Sequence, residues 1–177
     1  MLYIITPCSR PQNLSIIQHT IPPQSRWIIC HSISDTININ SATVLQCLDT
    51  GFVGIKARNY VLDNYPFKDD DLILFHDDDN IIHPNLYKTI GPYLEYDFSI
   101  MCWGQVNKDE SIRLAPSFAP KIYEIDTACY LVRWKYNKLV RHIENTYIHD
   151  GLYAEQCAQN GPILTINHYI SYYNYLR

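Results

Sequence analysis

The chain has 177 residues, 47% hydrophobic, 13% aromatic and 18% charged, with a formal net charge of −4. That length buries a core without staples and suits a single domain over residues 1–177, and the composition excludes disorder. The negative balance excludes general nucleic-acid binding, which needs a basic footprint against phosphate.

No apolar run approaches the ~20 residues that span a bilayer. The start, Met1-Leu2-Tyr3-Ile4-Ile5-Thr6, lacks a basic n-region. No integral membrane segment and a cytoplasmic setting are therefore expected, with the oligomeric state left open. Six cysteines are widely scattered without a CxxC pair or zinc-like spacing, so reduced, buried thiols are expected. Fifteen tyrosines suit half-buried packing and equally suit stacking on sugars or bases.

The β-branched and aromatic run Leu2 to Thr6 predicts a first strand that stops at Pro7. After the loop Thr6-Pro7-Cys8-Ser9-Arg10-Pro11, apolar Leu14, Ile17 and Ile21 predict a helix over Gln12 to Thr20, ending before Pro22-Pro23. Trp27 to Cys30 is a second strand, and strand, helix and strand imply a parallel sheet with a right-handed crossover. Ala42 to Leu48 fits a short helix and a strand equally. Gly51 and Gly54 bracket a turn, and Lys56 to Tyr65 is a helix closed by Pro66.

Leu72-Ile73-Leu74-Phe75 then runs directly into His76-Asp77-Asp78-Asp79-Asn80. A short apolar run bounded by turn residues predicts a strand buried on both faces. Its carboxyl end is where open α/β sheets bind ligands. Three adjacent carboxylates repel one another, and a bound cation or solvation meets that cost. Asp79 is the first candidate ligand for Mn²⁺ or Mg²⁺, with His76 and His83 flanking the acids as competing ligands; the alternative is a solvated acidic turn.

Further along, Leu86 to Leu94 is a helix, Phe98 to Trp103 a strand, and Arg113 to Lys121, with Pro116 and Pro120, a loop over the site. Ala128 to Val132 is a fifth apolar run. Helical stretches near Tyr136 to Glu144 and Leu152 to Gln159 flank the turn-like His149-Asp150-Gly151, and a last strand covers Ile163 to Ile166, followed by His168. The whole predicts one α/β domain with a Rossmann-like, mostly parallel central sheet flanked by helices.

Taken together, Ile4 to Pro11, Gly54-Ile55-Lys56-Ala57-Arg58-Asn59, Phe75 to Asn80, Asp126-Thr127-Ala128-Cys129, His149-Asp150-Gly151-Leu152 and His168 resemble the glycosyltransferase type A fold. The likeness is to the family-2-like and glucuronyltransferase-like nucleotide-sugar transferases, in a small version. The resemblance implies that Thr6, Pro7, Arg10, Asp35, Lys56, Arg58, Asn59, Asp77 and Asp78 contact a nucleotide-sugar donor, with UDP expected. It further implies that Asp77 and Asp79 form a DxD motif whose metal is completed by His168, and that Asp150 is the general base of an inverting transfer to a hydroxyl of a glycan or similar acceptor. Asp150 could instead merely cap the helix that follows, and Lys56, Arg58 and Arg10 could be surface charges. The chain departs from the pattern after the second strand, where His31-Ser32-Ile33-Ser34-Asp35 stands in place of the carboxylate pair that reads the base. Two rival readings remain. One is a silent nucleotide- or glycan-binding module of the same fold. The other is a sugar-phosphate nucleotidyltransferase, against which stands the absence of a Gly-rich loop carrying Arg and Lys after the first strand.

Overall fold

The computed structural model describes residues 1–32 and 36–177. Among the described residues the chain runs β1 (Leu2–Cys8), α1 (Leu14–Ile17), β2 (Ser25–His31), β3 (Ala42–Gln46), α2 (Ile55–Asn64), β4 (Leu72–Phe75) and α3 (Leu86–Ile90). It continues through β5 (Ile100–Val106), β6 (Ile112–Leu114), β7 (Tyr130–Arg133), α4 (Trp134–Asn137), α5 (His149–Gln159) and β8 (Ile163–Tyr172). One sheet has the order β3-β2-β1-β4-β7-β5-β6, with β8 paired to β5. Strands β1 to β4 are mutually parallel and β8 is parallel to β5, whereas β7 runs antiparallel to β4 and β5. This is the expected α/β architecture with a mostly parallel sheet.

The two-residue period of a strand divides the core. Tyr3, Ile5, Ile73 and Phe75 face one side, where Ala57 and Val61 of α2 and Tyr153 and Ala154 of α5 cover them. Leu2, Ile4, Leu72 and Leu74 face the other, with Leu14 and Ile17 of α1 and Leu86 and Ile90 of α3. β4 thus meets apolar side chains on both faces, which is why Leu72–Phe75 shows no alternation in sequence.

Several elements differ from their predicted form. β1 continues through Pro7 to Cys8, and the undecided Ala42 stretch is a strand parallel to β2. The predicted helix after β1 is a 3-10 turn at Pro11–Asn13 followed by one α-turn, and α3 likewise gives way to 3-10 geometry at Gly91–Tyr93. β8 extends six residues past Ile166, so His168 lies within the strand rather than beyond it.

All six cysteines are buried and unbridged. Burial pushes the thiols of Cys8 and Cys102 up to about 12 and raises those of Cys30, Cys129 and Cys157 as well.

Candidate functional site

Chain direction changes sides at β1: β2 and β3 lie to one side of it and β4 to the other. The crevice outside the carboxyl ends of β1 and β4 is the place such sheets offer a ligand. A cavity of about 310 Å³ opens there, lined by Pro7 to Arg10 at the end of β1, by Asp77, Asp78 and Asp79 after β4, and by Arg58, Arg113, Asp126, Asp150 and Arg177.

The three consecutive acids occupy different environments. Asp78 is inward and spent: its Oδ2 accepts from the backbone N–H groups of Ser9 and Arg10, both at 2.6 Å, and its Oδ1 from Arg10 Nη1 at 2.5 Å. Asn13 Nδ2 also donates to its carbonyl, so Asp78 clasps the β1 loop to the β4 turn. Asp77 is half-exposed and pairs with the fully buried Arg58, whose second nitrogen donates to the Val53 carbonyl at 2.9 Å. Val53 reaches that position in left-handed backbone (φ 44°), an uncommon conformation for a β-branched residue. Asp79 is buried, and its carboxyl is raised by burial and by the charge of Asp77; Arg177 Nη2 at 2.6 Å and Arg10 Nη1 at 3.4 Å oppose that rise.

A second acidic group faces these across the cavity. Asp126 accepts from Ala128 N and pairs with Arg113 at 3.1 Å, and the Arg113 guanidinium lies 3.6 Å from the centre of the Tyr173 ring. Burial, then the charge of Asp150, lifts the Asp126 carboxyl to about 6. For Asp150 burial works against the charge, but His149 and the Arg58 guanidinium prevail and lower it. Asp150 sits inside the first turn of α5, whose N-cap is Ile148, so it is not the cap residue. Gly151 beside it has room for no side chain, since a Cβ would stand 2.5 Å from Ile122 Cα.

Pro7, Arg10, Arg58, Asp77, Asp78, Asp79 and Asp150 therefore line one cavity. Other candidates stand elsewhere. Thr6 is buried within β1, where its Oγ1 accepts from Trp27 Nε1. Lys56 pairs with exposed Asp49 at 2.8 Å. Asn59 clamps the backbone of His142, donating to its carbonyl and accepting from its N–H, both at 2.9 Å. His168 is exposed on β8 and does not line the cavity, so the expected third metal ligand is not brought to the acids. Asp35 lies outside the described residues. Of the competing ligands, His76 is buried with Nε2 donating to the Asn80 carbonyl at 3.2 Å, and His83 packs its ring 4.8 Å from that of Tyr172. Trp103 is buried and donates to the Ala128 carbonyl, a core role. Sequence gives Arg177 no role, Arg113 only a place in a loop over the site and Asp126 only a place in a motif of the resemblance, because what brings these three side chains together is the path of β6, β7 and the segment after β8.

The sequence matches no protein-family model and no curated protein. Comparison with solved structures is informative about the fold. The chain is similar to the bifunctional IspDF of Campylobacter jejuni (TM-score 0.59, 8% identity), covering 94% of this chain and 49% of that one. It is similar to a 4-diphosphocytidyl-2C-methyl-D-erythritol synthase (TM-score 0.56, 10% identity; 94% and 88% covered). A third likeness is to the 2-C-methyl-D-erythritol 4-phosphate cytidylyltransferase of Francisella tularensis (TM-score 0.55, 11% identity; 96% and 93% covered). The chain shares its fold with cytidylyltransferases. It spans about half the length of the bifunctional protein and nearly all of the other two matches' extent. These likenesses correct the expectation of a hexosyltransferase: the matched structures are nucleotidyltransferases, not glycosyltransferases. What carries over is the fold, a mostly parallel α/β sheet flanked by helices. Among the described residues no helix is long and apolar enough to cross a membrane.

Proposed function

We propose that the cavity binds a nucleoside triphosphate and catalyses nucleotidyl transfer to a small phosphorylated acceptor such as a sugar phosphate, with a divalent cation. The observation that carries this reading is the convergence of Arg10, Arg58, Arg113 and Arg177 with Asp77 and Asp79 at the carboxyl ends of β1 and β4, on a cytidylyltransferase-like sheet. One of the structures similar in fold is named as a 2-C-methyl-D-erythritol 4-phosphate cytidylyltransferase, and its acceptor is of this class. Four guanidinium groups drawn from distant segments take the part of the single Gly-rich basic loop that the chain lacks after β1.

In this reaction an oxygen of the acceptor phosphate attacks the α-phosphorus. The new P–O bond forms as the bond to the departing pyrophosphate breaks, giving a nucleoside diphosphate-linked product and pyrophosphate. The nucleophile is already anionic, so the barrier is one of charge and alignment rather than of proton removal. Arg58 is rigid, buried and anchored at Val53 and Asp77, which suits it to orient a phosphate; Arg113, held flat against Tyr173, and the more exposed Arg10 and Arg177 supply charge around it.

The acids fit a divalent ion. Asp79 is buried beside Asp77 and already draws two guanidinium groups, so positive charge is what this position takes. Asp77 and Asp79 would hold Mg²⁺ or Mn²⁺ through oxygen, and the bound ion supplies neutralisation of charge on the phosphate oxygens.

The test is a panel of CTP, UTP, ATP and GTP with mixed sugar and polyol phosphates, read by pyrophosphate release. Release that requires a divalent cation and falls roughly 100-fold in Arg58→Ala is expected. Nucleotide binding without turnover, or release of a nucleoside diphosphate from a nucleotide sugar, overturns the reading.

A further inference from the structure

Nucleotidyl transfer leaves one part of the cavity wall without a task. His142 and His149 are both buried, and their Nδ1 atoms face each other at 3.2 Å. His149 Nδ1 also stands 2.8 Å from Asp150 Oδ1, an oxygen that is itself buried and makes no hydrogen bond of good geometry. All three ligand atoms lie within 4.8 Å of one another. Two imidazole nitrogens and one carboxylate oxygen thus converge where one proton at most can sit between the rings.

A tetrahedral ion with bonds of about 2.0–2.1 Å separates its ligand atoms by roughly 3.3 Å. The observed 3.2 Å matches that spacing, 2.8 Å is about half an ångström short of it, and no pair exceeds 4.8 Å, so small side-chain rotations bring the three atoms to it. The rings are also held in place. Asn59 clamps the His142 backbone from α2, Tyr153 stacks on its ring at 4.2 Å and 8°, and Phe75 meets it edge-on at 4.8 Å. His142 Nε2 is buried without a hydrogen-bond partner, so the ring's polar contact is made through Nδ1 alone. The charge of Arg58 opposes a cation here, since it bears on both His142 and Asp150; Asp77 and Asp126 supply negative charge against it.

We propose that His142, His149 and Asp150 form a transition-metal site, distinct from Asp77 and Asp79, whose open position faces the cavity. Two imidazoles and one carboxylate select a borderline ion of the zinc class over Mg²⁺. Since His149 and Asp150 line the cavity, the position left open is one that water or a ligand oxygen can fill. The site does not depend on nucleotidyl transfer and stands or falls separately from it.

The test uses metal alone on protein dialysed against chelator. Cobalt(II) should bind one to one with the intense visible absorption of a four- or five-coordinate ion, and zinc should displace it. The spectrum should persist in an Asp77→Asn, Asp79→Asn double variant. It should weaken by about 100-fold or more in apparent affinity in His142→Ala and in Asp150→Asn, and by about tenfold in Asn59→Ala, which frees the clamp. Two substitutions at separate ligands guard against a single variant that fails to fold, and circular dichroism melting checks each. Cobalt binding that is absent, that is indifferent to both ligand substitutions, or that disappears with Asp77 and Asp79 overturns the proposal.

Discussion

Asp78 and Asp79 are adjacent in sequence and both buried, but they differ in their partners. Asp78 accepts from two backbone N–H groups and a guanidinium, all aimed at its two oxygens, so an amide there would point a donor at donors. Asp78→Asn is expected to lose about 3 kcal/mol in urea denaturation, whereas Asp79→Asn, which relieves a carboxylate raised by burial, should lose less than a third of that. Equal losses would show that the clasp does not hold the β1 loop. His76 offers a second residue-scale reading. Burial lowers it from about 6.5 to about 4. Between those pH values the unfolded chain binds a proton that the folded chain does not, so stability falls as pH falls through that window, by about 3 kcal/mol in all. Asp126, raised to about 6, has the opposite sign over much of the same range. The informative measurement is therefore the difference between wild type and His76→Asn, whose stability should decline less steeply from pH 7 to pH 4.

At the scale of elements, the contact of α5 with the segment before β7 sets where Asp150 stands. A Cβ at Gly151 would come 2.5 Å from Ile122 Cα and 3.1 Å from its backbone N, and backbone gives way less readily than a side-chain end. Gly151→Ala should cost about 1–3 kcal/mol in thermal or urea unfolding, and an unchanged midpoint would mean that the segment shifts freely. The same scale shows what was legible in sequence. The helix α2 was plain because Gly54, at φ 80° and against Pro7, opens it and Pro66 closes it. β4 was plain because four apolar residues run unbroken into the acids. The strand at Ala42 was not, because β3 is only part-buried and its pattern fits either period. β8 was cut short because Asn167, His168 and Tyr169 are exposed there, and a polar run inside a strand looks like its end. Asn59 looked like a phosphate contact by position and turned out to face away, toward His142: a helix presents successive residues about 100° apart, so Arg58 and Asn59 cannot share a face.

For the whole molecule, the cavity is finished by a segment far from the acids in sequence. Leu176 N donates to the Asp79 carbonyl, Asn80 Nδ2 to the Tyr172 carbonyl, and Arg177 reaches Asp79 at 2.6 Å. Arg177 thereby holds, as a side chain, the place that a divalent ion would contest. Arg177→Ala should tighten Mn²⁺ binding by about tenfold, the worth of one charge-assisted bond of about 1.5 kcal/mol, as followed by calorimetry. Weaker binding would instead make Arg177 part of what shapes the ion's position. Half of the site was thus visible as local motifs, at Arg10, Arg58 and the acid run. The rest, Arg113 and Arg177 and the facing of Asp126 toward them, depends on antiparallel β7 returning through the sheet and on the chain folding back after β8. The buried thiols carry a different consequence. Cys8 lies in β1, Cys30 in β2, Cys102 in β5 and Cys157 in α5, each sealed from solvent and each held protonated by its surroundings. A sulfhydryl reagent added to the native protein can modify none of them until its own element breathes. The rate at which each is labelled then times the opening of one layer of the fold, without any label having been engineered in.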